Sequence, residues 1–387
     1  MQFTKTMKTG LLSIVGAAAM LASSAPAHAG YKMEIDENKW ISVGAGARVS
    51  YNAVEDAAPD GGWSSNFDLN SARLYVNGEV TKWVGVEFNT EVDGDDDIHI
   101  LDAVVKLQFS EYFNIWMGRF LPPSDRANLS GPYYANIWNF PFVQGYPAIF
   151  AGRDNGVAVW GQFGGGKFKY QLGVFEGCSS GKNSCSLADT PDPVRAYSSD
   201  TPLFAGRLVY NFFDPEPGYY NSSTYYGTKK ILAVGATFMH QAKATGDDII
   251  WGDFTGWSID VLFEWPVANG GAVTFEGAYY NYDTDGLIST LMEGEGFYVQ
   301  GAFLIPGKVG FGQFQPVIRY QDMDRDDGFS SSKKIDGGFN YIIDGHNARV
   351  SLFYQYGDIL SEGITNFAPG VAGDDLSAIK LAFQIQI

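Results

Sequence analysis

The segment Trp257-Ser-Ile-Asp-Val-Leu-Phe-Glu-Trp265 puts Trp257, Ile259, Val261, Phe263 and Trp265 on one face and Ser258, Asp260 and Glu264 on the other. A period of two belongs to a β-strand with one apolar and one wetted face, whereas a helix would mix both sets around its circumference. The pattern recurs in Val84, Val86 and Phe88 against Glu87, Asn89 and Glu91, and in Ala348, Val350, Leu352 and Tyr354 against Arg349, Ser351 and Gln355. Sixteen such segments stand out, near 40–52, 66–80, 83–93, 98–109, 112–121, 153–163, 167–177, 202–213, 230–241, 255–265, 272–283, 295–305, 313–322, 333–343, 347–357 and 376–387. Lengths near ten residues suit tilted strands that cross a bilayer, and an even count suits a closed barrel with both chain ends on one side.

Composition agrees. Apolar residues make up 45% of the chain and aromatics 15%, yet the mean hydropathy is only −0.11. A water-soluble fold gathers its apolar residues into runs or helical stripes; here they alternate singly with polar ones, as a wall between lipid and water requires. The expected fold class is all-β, a transmembrane antiparallel β-barrel of about 16 strands in one domain, residues 30–387, with a long inward-folded third loop.

Residues 1–29 read as a signal peptide. Lys5 and Lys8 supply the positive start, Leu11 to Ala22 the apolar stretch, and Ala27-His28-Ala29 a small-x-small cleavage site. Ser23, Ser24 and Pro26 interrupt the apolar run before it reaches membrane-anchor length, about 20 residues. Without Lys5 and Lys8, 24 basic residues remain against 44 acidic ones, a balance that argues against nucleic acid as a partner. The two cysteines, Cys178 and Cys185, sit in a turn-rich loop and are expected to pair as a disulfide in an oxidising compartment, the alternative being two free thiols. No metal site or cofactor is expected.

The connections alternate as a barrel demands. Thr81-Lys82, Ser110-Glu111, Gly164-Gly165-Gly166 and Asp344-Gly345-His346 are tight turns for the periplasmic end. The segments 52–65, 122–152, 177–201 and 358–375 are long loops for the outer end. The exception is Asp214 to Lys229, a long connection on the inner side, where an error of register or count would hide. Trp40, Trp83, Phe109, Tyr112, Phe163, Phe168, Phe212, Trp265 and Phe314 cluster near the inner boundary, as a girdle at the lipid–water interface would.

The third outer loop, Pro122 to Gly152, is rich in Tyr, Trp, Phe and Pro. So many aromatics need a surface to pack against, and the inner barrel wall is the nearest. The alternatives are a loop packed over the mouth or at a subunit contact. The segments Gly118-Arg-Phe-Leu-Pro-Pro and Arg153-Asp-Asn-Gly-Val-Ala-Val-Trp160, with the aromatic loop between them, resemble the phosphate-selective porin O and P family. The resemblance implies a trimeric, sixteen-stranded outer-membrane channel whose third loop narrows the pore. Family members that select phosphate line their pores with many Arg and Lys. Here a mixed lining is expected for the lumen, with Arg48, Arg73, Lys106, Arg119, Lys169, Arg207, Arg319, Lys334, Arg349 and Lys380 beside Glu79, Glu87, Glu91, Asp102, Asp260, Glu264, Glu276 and Asp336.

The expected function is therefore a water-filled outer-membrane channel for passive diffusion of small hydrophilic solutes or ions, with anions such as phosphate among the candidates. The candidate pore constriction is Lys106, Arg119, Arg126 and Arg153 with Asp125 as counter-charge and Tyr133, Tyr134 and Trp138 as steric walls. Arg119 shares parity with the apolar Phe113, Ile115 and Met117, so its inward placement requires a phase shift near Gly118. Runs such as Asp322, Asp324, Asp326 and Asp327 make the outer loops acidic; they are either solvated tips or sites for divalent cations that bridge to lipopolysaccharide. A non-conducting structural or adhesive barrel is the alternative. A barrel enzyme ranks lower, because the His residues stand at no recognisable motif spacing from Ser or acid. Mass spectrometry of the membrane-extracted protein is expected to find an N-terminus at Gly30; an intact leader would overturn the cleavage assignment.

Overall fold

The computed structural model describes residues 30–92, 97–145, 152–178, 201–246, 251–287, 293–326, 331–358 and 375–387. Its strands are β1 (Tyr31–Asp36), β2 (Lys39–Val54), β3 (Ser64–Thr81), β4 (Val84–Val92), β5 (Ile98–Ser110), β6 (Phe113–Phe120), β7 (Asp154–Phe163), β8 (Phe168–Phe175) and β9 (Leu203–Asn211), followed by β10 (Ile231–Gly246), β11 (Trp251–Val267), β12 (Gly271–Asp283), β13 (Gly294–Leu304), β14 (Gln313–Arg325), β15 (Ser332–Asp344), β16 (Ala348–Gly357) and β17 (Leu376–Gln386). From β2 to β17 each strand pairs antiparallel with its sequence neighbour. The ring closes where β17 pairs with β2, from Ala378 opposite Val54 to Gln386 opposite Gly46. Closure leaves no sheet edge whose amide groups would meet lipid unpaired.

The sixteen barrel strands coincide with the sixteen alternating segments of the sequence. The extra strand, β1, forms a hairpin with the start of β2, Tyr31 lying opposite Val43. Chain ends explain its position. The last residue, Ile387, donates its amide to the Ala45 carbonyl at 2.8 Å, so β17 runs out there and β1 takes up the edge of β2 below it. Tyr31, Met33 and Ile35 do alternate with Lys32, Glu34 and Asp36, but six residues alone make a weak signal.

Outward positions keep lipid-like side chains: Leu172, Ile318 and Phe238 are all more than half exposed on the isolated chain. Inward positions on the same strands are buried and polar, Gln171 on β8, Thr237 on β10 and Arg319 on β14, as are Ser258, Asp260 and Glu264 on β11. At the inner rim Phe109 lies 5.8 Å from Phe113, and Tyr112 lies 5.3 Å from Phe163. The β7–β8 turn uses Gly164, Gly165 and Gly166, all at positive φ, a backbone that side-chain-bearing residues seldom adopt. The inner segment 212–230 contains no strand-pairing error. Its Asp214 amide and the Lys230 carbonyl close a loop at 2.8 Å, and the residues between lie against the lumen side of the wall.

A charge placed on the outward face tests this assignment. Val261 points outward at the middle of β11, so Val261→Arg should destabilise the barrel by roughly 2–4 kcal/mol in urea titrations of vesicle-folded protein. An effect near zero would mean that this face does not meet lipid.

Candidate functional site

Barrel closure aims every second side chain of sixteen strands at one lumen, and the third loop runs across it. Its first turn is a short helix, α1 (Arg126–Ser130), whose N-cap Asp125 accepts from the Ala127 amide at 3.0 Å. Asp125 also accepts from the Tyr280 hydroxyl of β12 at 2.7 Å. Burial pushes its carboxyl up to about 7, against the pull of the Tyr280 hydrogen bond. Arg126 is fully buried near Asp260 of β11, which also accepts from both terminal guanidinium nitrogens of Arg207 of β9. Further on, the Tyr133 ring lies 5.1 Å from the Arg73 guanidinium, and its hydroxyl is 3.2 Å from that of Ser71, both on β3. Seven strands lie between β3 and β11 in either direction around the ring of sixteen, so the loop touches opposite sides of the barrel.

The return path is tied down by lumen side chains. Arg349 of β16 donates to the Ala135 carbonyl, Asn340 of β15 to Asn136 and Arg319 of β14 to Asn139. Arg48 of β2 donates to the Trp138 carbonyl at 2.6 Å and lies 3.9 Å from the Trp138 ring. Carbonyls that leave a regular element need donors when buried, and here basic side chains of the wall supply many of them.

The sequence-derived candidates separate accordingly. Asp125, Arg126, Tyr133, Tyr134 and Trp138 sit on the loop inside the barrel. Arg153 reaches Asp102 at 3.0 and 3.2 Å, and Lys106 bonds Glu87 while lying 4.3 Å from the Trp116 ring. Arg119 does not join them. No register shift occurs at Gly118, which stays opposite Val104 and Gly156, so strict alternation puts Arg119 on the outer face with Met117. There its Nε donates to the Ile100 carbonyl at 3.0 Å. The inward placement of Arg119 is therefore corrected: without a bulge, parity holds. Cys178 is disulfide-bonded, while Cys185 lies outside the described residues, as do Asp327 and the loop segment 146–151.

The inner segment was not foreseen as part of the site. Glu216 accepts from Arg126 at 2.8 and 2.7 Å and from the Tyr225 hydroxyl at 2.6 Å. Burial alone would raise its carboxyl, but the Arg126 charge and hydrogen bonds outweigh that and hold it at about 2. Its cluster of Tyr219, Tyr220, Tyr225 and Tyr226 is the same aromatic signal that marked the third loop. Between the two inserts remains a void of about 60 Å³, lined among others by Arg73, Arg153, Tyr133, Tyr134, Tyr220 and Asn221.

A closed ring of sixteen antiparallel strands, lipid-like outside and polar within, defines an outer-membrane β-barrel with a narrowed lumen. The sequence profile of the family described as phosphate-selective porin O and P matches residues 41–387, and the chain belongs to that family. It is an outer-membrane porin, a channel for passive diffusion. No curated protein sequence matches the chain. Among solved structures, the anion-selective porin from Comamonas acidovorans is 13% identical, with a TM-score of 0.59 over 90% of this chain and 100% of that one. OmpF of Salmonella typhi, in complex with daunomycin, is 12% identical, with a TM-score of 0.55 over 92% of this chain and 100% of that one. A trimer form of OmpT from Vibrio cholerae is 11% identical, with a TM-score of 0.56 over 91% of this chain and 100% of that one. At such identities the likeness is one of fold.

His346 reports on this packing. It lies in the β15–β16 turn between the Tyr134 and Tyr226 rings, at 4.8 and 4.7 Å, with Nε2 3.0 Å from the Thr224 carbonyl. Burial, reinforced by the nearby Arg349 charge, pushes its pKa down to about 4. Between that value and about 6.5 only the unfolded chain takes up the proton, so stability is complete above the window and falls as pH drops through it. The loss is on the order of 3 kcal/mol by pH 4. His346→Gln should remove this part of the acid sensitivity in denaturation midpoints measured from pH 7 to 4. Parallel curves for the two proteins would refute it.

Proposed function

We propose that this porin passes small hydrophilic solutes and ions with a preference for small anions, set where the third loop crosses the lumen. Arg48 and Arg349 carry the reading. Both are buried and lie against Trp138, at 3.9 and 5.7 Å, and among the described residues neither has a carboxylate partner. The Nε atoms of both, and Nη2 of Arg349, have no hydrogen-bond partner there. By contrast Arg126, Arg153, Arg207 and Arg319 are each matched to an acid. An uncompensated positive pair between low-dielectric walls attracts anions more strongly than the same pair in open water. Tyr133, Tyr134 and Trp138 limit solute size, and Lys106, Arg126 and Arg153, with Asp125, complete the constriction. The same observations favour a channel over an enzyme, since they assemble a passage rather than a nucleophile and base.

We read the assembly as a homotrimer surrounded by outer-membrane lipid, with lipopolysaccharide at the outer rim. On the outward face a Cβ added at Gly301 or Gly337 would meet nothing within 4 Å, which leaves room for close contact between two walls. The OmpT trimer of Vibrio cholerae has the same fold and supports the reading.

Two measurements test these proposals. Under a salt gradient in a planar bilayer, the reversal potential should indicate anion preference, and Arg48→Ala with Arg349→Ala should lower the anion-to-cation permeability ratio several-fold. An unchanged ratio with normal assembly would place selectivity elsewhere. In mild detergent the active channel should have the mass of three copies; an active monomer would reject the trimer.

A further inference from the structure

The inner segment lies too deep in the lumen to serve only as a connection between β9 and β10. Glu216 is 1% exposed and is bonded to Arg126 of the third loop. Tyr219 stacks on Trp116 of β6 at 4.6 Å and donates its hydroxyl to the Leu121 carbonyl at 2.9 Å. Asn221 donates to the Arg126 carbonyl, and the Ser223 amide to the Tyr134 carbonyl. Asn136 donates in return to the Ser223 carbonyl at 2.9 Å. From the wall, Lys169 and Gln171 of β8 hold the carbonyls of Gly218 and Tyr219. The third loop descending from the outer mouth and this segment rising from the periplasmic end thus meet and bond at mid-lumen.

On the channel reading, we infer that the inner segment is the second wall of the constriction, and that Tyr220 and Asn221 determine which solutes pass. Both line the residual void, facing Arg73, Arg153, Tyr133 and Tyr134. That void holds a few waters at most, so removal of either wall should widen the path. The Tyr220 hydroxyl is buried with no hydrogen-bond partner among the described residues. It is a neutral donor and acceptor among the Glu87 and Asp102 carboxylates and the Arg153 guanidinium that line the same void, placed to hydrogen-bond a small polar solute or its hydration water.

Single-channel recording tests the inference. Tyr220→Ala should raise conductance about twofold by widening the narrowest section. In Asn221→Cys, a positively charged methanethiosulfonate reagent should attach at residue 221 and cut the current by half or more. Wild-type conductance is the control: if wild type is silent, the channel reading fails and this inference with it. If wild type conducts, unchanged conductance in folded Tyr220→Ala overturns the inference alone. Should Tyr220→Ala not fold, the cysteine variant decides. Failure of the reagent to attach, or attachment without a change in current, overturns the inference as well.

Discussion

The demand that every backbone amide in the membrane be hydrogen-bonded governs this molecule. Strands can meet it only by closing on themselves, and the β2–β17 pairing does so in uninterrupted register. The chain ends follow from the same demand. Because β17 stops beside Ala45, the first residues of β2 would present a free edge, and β1 covers it.

Closure at sixteen strands creates a second problem, since the lumen is too wide for wall side chains alone to fill. Two inserted segments occupy it, and their irregular backbones bring carbonyls and amides that need partners. The wall answers with long basic and amide side chains: Arg319, Arg349, Asn340 and Arg48 toward the third loop, Lys169 and Gln171 toward the inner segment. Where charges are buried between the inserts they are matched, as in Arg126 with Glu216. Removal of one member of such a pair costs about 3–5 kcal/mol, because the survivor is left buried and uncompensated. Among the described residues Arg48 and Arg349 are buried without such a partner.

Most of the wall was legible in the sequence, because lipid outside and water inside impose a period of two that composition cannot hide. The placement of Lys106, Glu87 and Asp102 on the lumen side followed from parity alone, whereas that of Arg153 rested on its place beside the third loop. Parity also groups Arg119 with the outward residues, and no bulge at Gly118 reverses it, because the neighbouring strands keep their register there. The length of the inner segment is plain in the sequence, but its course into the lumen is not. Its Pro-Glu-Pro-Gly-Tyr-Tyr run carried the aromatic argument already applied to the third loop.

Local alternation by itself determined the strand order, the antiparallel neighbours and the face of nearly every wall residue, since each depends only on residues close in the chain. The partners of the charges were decided by tertiary structure. Arg126 and Glu216 are ninety residues apart, and Arg48 meets Trp138 across a similar gap. No period relates them. They meet because the closed wall confines two loops from opposite mouths to one volume, where every buried polar group must find a partner or remain open to whatever passes.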